Sequence, residues 1–229
     1  MLIIRKPQIT TENGYTKYSC LIEIDGKESP LWMRVADQWS EFVSERSDAA
    51  LLAFLMPAMA AGHGIHVEGP VSQELVEHSN DLGQAILVGV FGHLKKTTVL
   101  AREMMPACSR AAGVAAGLSC GFDSLCTIAD YLPSTGRSVA LTHLIHNDAI
   151  VRSEKARLAQ TALHERIAAM ADSLALPIIF VASNVSSFCT GKGLNYSRVH
   201  TLQNAASAAL LQRGIGVYLY ASASAYAYH

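Results

Sequence analysis

The chain has 229 residues, half of them hydrophobic and 16% charged, enough for one large domain or a small domain beside a medium one. With 18 basic and 19 acidic residues it is near neutral, which gives no footprint for nucleic acid or a membrane surface but still allows a local nucleotide site. Cys20, Cys108, Cys120, Cys126 and Cys189 are scattered with no CxxC pair, so free thiols in a reducing cytoplasm are expected rather than disulfides or structural zinc. No stretch reaches the roughly 18 apolar residues of a membrane span.

The first part reads as a small α+β domain over residues 1–106. Tyr18–Ile24 and Leu31–Val35 alternate as strands around an Asp25-Gly26 hairpin turn. Ser47-Asp48 offers an N-cap for a helix through Met59, ended by Gly62, with Pro57 interrupting its apolar run. Gly64–Glu68 reads as a strand and Ser72–His78 as a helix. Ala85–Phe91 and Thr97–Ala101 read as two further strands.

The pattern changes over residues 107–229. Strands at Gly113–Leu118, Ser138–Ile145, Pro177–Ala182 and Ile215–Tyr220 alternate with helices at Asp123–Leu132, Arg152–Leu174 and Tyr196–Arg213. This alternation predicts an α/β fold, a parallel sheet with helices on both faces. Ligands in such folds sit outside the carboxyl ends of the strands, so the loops that follow them carry the function.

The first of those loops is Gly117-Leu118-Ser119-Cys120-Gly121-Phe122-Asp123-Ser124. Small residues between a strand and a helix let consecutive backbone N–H groups, reinforced by the helix N-terminus, hold an anion. Asp123 would repel a bare phosphate and makes sense if a divalent cation sits between them, although Asp123 or Ser124 could simply cap the helix.

Ser119-Cys120-Gly121-Phe122-Asp123-Ser124 resembles the SGGxDS motif of the PP-loop (N-type) ATP pyrophosphatase superfamily, which includes asparagine synthetases and 7-cyano-7-deazaguanine synthase. The departure is Cys120 where that family has Gly, which costs energy if the position needs a positive φ. The resemblance runs from Arg110 to His229 and implies an adenine nucleotide alpha hydrolase-like fold, with ATP and Mg2+ as cofactors. It implies an enzyme that adenylates a carboxylate or carbonyl substrate with release of pyrophosphate, followed by nitrogen or sulfur transfer. Ser119, Cys120, Gly121, Phe122 and Ser124 would bind phosphate, and Asp123 would hold the metal. His146 and Asp148 after the second strand, with Ser183 and Asn184 after the third, would complete the nucleotide pocket. Lys192, between two glycines, is the candidate catalytic cation, with Arg198 a weaker one. A cytoplasmic protein acting on a small molecule, with a possible homodimer and no nucleic-acid or membrane partner, completes the expectation.

His143 and His146, three apart on a strand, point to opposite faces and are poor partners for one metal. A helix N-terminus can activate Cys120, but a bound polyanion would oppose this, and a plain small residue is the simpler reading. Gly117-Leu118-Ser119-Cys120-Gly121 also fits the GxSxG nucleophile elbow of α/β-hydrolases, with Asp148 and His200 or His229 completing a triad. No oxyanion segment precedes it, and that reading leaves Asp123-Ser124 unexplained. A third alternative is a non-catalytic ATP- or AMP-binding protein with a degenerate loop.

Overall fold

The computed structural model describes residues 1–106, 109–148, 154–189 and 194–221, with side chains except at 154–157 and 196–197. The first segment contributes β1 (Leu2–Ile4), β2 (Gln8–Glu12), β3 (Tyr15–Ile24), β4 (Lys27–Ala36), α1 (Asp48–Ala61), β5 (Ile65–Ser72), α2 (Gln73–Asn80), α3 (Leu82–Val90) and β6 (Val99–Met105). The second contributes β7 (Gly113–Gly117), α4 (Phe122–Asp130), β8 (His143–Asp148), α5 (Glu154–Ser173), β9 (Ile178–Ser183), α6 (Tyr196–Leu210) and β10 (Ile215–Leu219).

The ten strands of the described residues form one sheet in the order β10-β7-β8-β9-β4-β3-β1-β5-β6, with β2 on β3. It is mostly parallel: β10, β7, β8 and β9 run together in one wing, as do β1, β5 and β6 in the other. The wings meet where β4 pairs antiparallel with β9, Met33 opposite Ser183 and Arg34 opposite Ala182. The sheet thus runs unbroken across residue 106, and α1 packs directly on α6.

Side chains of the β7–β10 wing alternate between two cores, as the period of a strand requires. Ala115, Ile145 and Ile179 pack with Val199, Ala206 and Leu210 of α6. Ala116 and Leu144 pack with Ile128 of α4 and with Ile167 and Ala171 of α5. Helices therefore cover both faces of this wing. No helix among the described residues is long and apolar enough to cross a membrane.

The Asp25-Gly26 turn joins β3 to β4 with φ of 50° and 79°, the positive pair that a tight two-residue hairpin needs. Ser47 does not cap α1 with its side chain, and its hydroxyl is buried without a partner among the described residues. Asp48 instead turns its carboxylate outward from the helix. It accepts from the Ser72 amide at 2.7 Å, the Ser72 hydroxyl at 2.5 Å and Gln212 Nε2 at 3.1 Å, tying α1 to β5 and to the end of α6. The helix continues through Pro57, which is buried with its apolar neighbours.

Residues 85–91, expected as a strand, lie instead in α3 and, for Phe91, at its C-cap. Leu82, Ile86 and Val90 recur at helical spacing on its exposed side, so their apolarity reports no burial. Two amide side chains bind the backbone at the start of β6: Gln84, 1% exposed, accepts from the Thr97 amide at 2.6 Å and donates to the Thr97 carbonyl at 2.8 Å, and Asn80 does the same to Val99 at 2.8 Å each. The second strand of the β7–β10 wing also begins later than expected, at His143 rather than Ser138.

Candidate functional site

The chain enters this wing at β7, steps to β8 and β9 on one side, then returns to the other side of β7 with β10. The winding therefore reverses at β7, and the crevice at the carboxyl ends of β7 and β10 is the switch point where open α/β sheets bind ligands. A cavity of about 310 Å³ lies there, lined from β7 and its loop by Gly117, Leu118, Ser119, Gly121, Asp123 and Ser124. Ile145, His146 and Asn147 of β8, His200 and Asn204 of α6, and Tyr220 and Ala221 after β10 complete it.

The loop is a tight turn with one left-handed residue. A Cβ at Gly117 would lie 2.7 Å from the Tyr218 hydroxyl and displace it. Cys120 has φ 59°, so the position where a glycine was expected is indeed left-handed. Ser119 Oγ accepts from the Gly121 amide at 3.3 Å and donates to Ser124 Oγ at 3.2 Å, which donates to the Gly121 carbonyl at 2.8 Å. This hydroxyl chain locks the turn from inside. Among the described residues, Gly121 is the one residue of Ser119–Ser124 whose amide has a protein acceptor. The remaining amides at the start of α4 keep their donors, and the helix dipole adds to them. Neither Asp123 nor Ser124 caps α4; Gly121 stands at the cap, with no side-chain bond.

The β8 side chains divide between the faces. Asn147 faces α6 and donates Nδ2 to Asn204 Oδ1, while Asn204 Nδ2 donates to the His200 carbonyl at 2.7 Å. A carbonyl can only accept, so this chain fixes both amide orientations. It leaves Asn147 Oδ1 as a buried acceptor without a partner among the described residues. His200 Nδ1 is hydrogen-bonded to the Tyr220 hydroxyl across the mouth of the cavity. On the opposite face His146 Nδ1 donates to the Leu118 carbonyl at 2.8 Å, tying β8 to the loop.

Not every residue expected here converges. Phe122 is 82% exposed and, like Cys120, does not line the cavity. Asp148 lies outside it and bonds His164 Nε2 of α5 at 2.5 Å. Ser183 is in register with Met33 of β4. Asn184 is spent on joining the wings, accepting from the Trp32 amide at 2.8 Å and donating to the Pro30 carbonyl at 2.7 Å. Lys192 and His229 lie outside the described residues. Among the described residues no histidine bonds Ser119, so nothing there activates it as an elbow nucleophile.

Asn147, Asn204, Tyr220 and His164 are additions that the sequence reading missed. The i,i+4 spacing of His200 and Asn204 on α6 was the available signal. His143, turned to the other face from His146, packs against Trp39 and Phe42 at 5.6 and 5.3 Å between ring centres, and partial burial lowers its pKa. Among the described residues Cys20, Cys120, Cys126 and Cys189 form no disulfide, and burial raises the Cys20 thiol to about 12. Comparison with protein-family models, with curated proteins and with solved structures finds no match for this chain.

Proposed function

We propose that the chain binds ATP with Mg2+ at the 119–124 loop and adenylates a carboxylate or carbonyl substrate, releasing pyrophosphate. The observation that carries this reading is the left-handed turn at Cys120, which leaves a row of loop amides without protein acceptors in a switch-point crevice. Such a row is electrostatically suited to a polyphosphate. The orphaned Asn147 Oδ1 supplies an acceptor for a donor on the nucleoside or the second substrate.

Asp123 tests the fit of the metal. It lines the cavity, is exposed and has no cation partner among the described residues, so alone it would repel phosphate. One carboxylate together with phosphate oxygens and waters is an ordinary Mg2+ donor set, and the residues fit. When bound, the ion would neutralise charge on the polyphosphate. The loop amides and the Ser119 and Ser124 hydroxyls would hold the leaving pyrophosphate while substrate oxygen attacks the α-phosphorus and the α–β bond breaks. A nitrogen or sulfur nucleophile then displaces AMP. In this reading the β7–β10 wing is an adenine nucleotide alpha hydrolase-like unit, residues 1–106 are accessory, and Lys192 is the candidate phosphate cation.

The test is a nucleotide titration of the wild type and Asp123→Ala with and without Mg2+. With Mg2+ the substitution weakens ATP binding at least about tenfold, about 1.4 kcal/mol. In EDTA it leaves binding unchanged or tightens it, because a repulsive charge has gone. The same loss in both conditions would overturn the metal-bridged polyphosphate.

A further inference from the structure

On the α4–α5 face of the same strand end, three potential metal ligands converge. His146 and Asp148, two apart on β8, point to one face, and His164 of α5 lies above them. Their ligand atoms all lie within 4.8 Å of one another. His146 Nε2 is 3.5 Å and His164 Nε2 2.5 Å from Asp148 Oδ1.

Three features make this more than a chance contact. The His146 and Asp148 side chains are only 12% and 10% exposed, so the carboxylate charge must be compensated locally. Its ion-pair partners among the described residues are these two imidazoles, which supply charge only when protonated. The His146 Nδ1–H is committed to the Leu118 carbonyl, which directs the Nε2 lone pair at the cluster in the neutral ring. That is the support by which proteins orient a metal-bound histidine. Phe180 packs against both rings, with centres at 5.8 and 4.7 Å, and fixes their attitude.

We propose that His146, Asp148 and His164 form a site for one divalent transition metal of the zinc class. Two imidazoles and a carboxylate make a borderline-soft set that prefers such ions to Mg2+. Ligands about 2.0–2.1 Å from a tetrahedral ion stand about 3.3 Å apart. The 3.5 Å separation already matches, and the 2.5 Å hydrogen bond would open by less than an ångström as the ion replaces its proton. Water would complete the coordination. The site is independent of the nucleotide proposal, and it places a Lewis acid next to the cavity wall that His146 lines.

The experiment is titration of the full chain, stripped with EDTA and free of any histidine tag, with Zn2+ by calorimetry and with Co2+ by visible absorption. One equivalent is expected to bind, with Co2+ giving the d–d bands of a nitrogen–oxygen site. His164→Gln, which keeps a donor for Asp148, and Asp148→Asn are expected to weaken binding at least tenfold while circular dichroism stays native. His78→Gln, at an exposed position paired with Glu74, is expected to bind as the wild type does. Absence of saturable one-equivalent binding, or equal binding by folded His164→Gln and Asp148→Asn, would overturn the site and leave a hydrogen-bonded histidine–carboxylate chain.

Discussion

Cys120 carries a measurable penalty. Its φ of 59° places Cβ against the following carbonyl oxygen, which costs an L-residue about 1–2 kcal/mol. Cys120→Gly removes that strain but gives the unfolded chain extra freedom, which takes back about 0.4–1 kcal/mol. It also gives up the packing of Cys120 against the Ala116–Leu144 core, worth a few tenths. Cys120→Ala loses most of the same packing and keeps the strain. The difference between the two variants therefore isolates the backbone term, and glycine should exceed alanine by about 0.5–1 kcal/mol. In a domain of this size that is roughly 1–4 °C in Tm. Urea unfolding of both proteins, followed by circular dichroism, measures it. Alanine equal to or more stable than glycine would refute the left-handed turn, and with it the amide row on which the nucleotide site depends.

Two further outcomes follow from the fold and its electrostatics. Asp48→Ala leaves the Ser72 amide, the Ser72 hydroxyl and Gln212 Nε2 without their shared acceptor, and about 3 kcal/mol of stability should be lost in chemical denaturation. For His143 the folded-state pKa is lowered by burial, so below its unfolded value of 6.5 the unfolded chain binds more protons. Its contribution should therefore be intact above 6.5 and decline as pH falls toward the folded pKa; His143→Gln should lose that slope between pH 7.5 and 5.

The parallel wing was legible because its signal is local. Short apolar runs, long helices and one small-residue loop each announce themselves within a few positions, and all four strands and three helices lie where that rhythm put them, within several residues. A left-handed residue at 120 entered only as a condition, through the glycine of the resembled motif, and φ there is 59°. What escaped was what depends on distant partners. Residues 85–91 are as apolar as a strand, and the bonds that Asn80 and Gln84 make to Val99 and Thr97, 13 or more residues away, have no local signal. Asn184 sits at a strand end of the kind that borders ligand sites, yet β4 arrives from 152 residues away and claims its amide. His164 had no local signal: a lone histidine on an amphipathic helix joins the site only once α5 lies over β8.

The central claim is tested most directly by following backbone amide resonances during a titration with ATP and Mg2+. The largest saturable shifts should fall on Ser119, Cys120, Phe122, Asp123 and Ser124, with a further set at Asn147 and Asn204. Saturable shifts centred elsewhere, or no response of the 119–124 amides at millimolar nucleotide, would contradict the account.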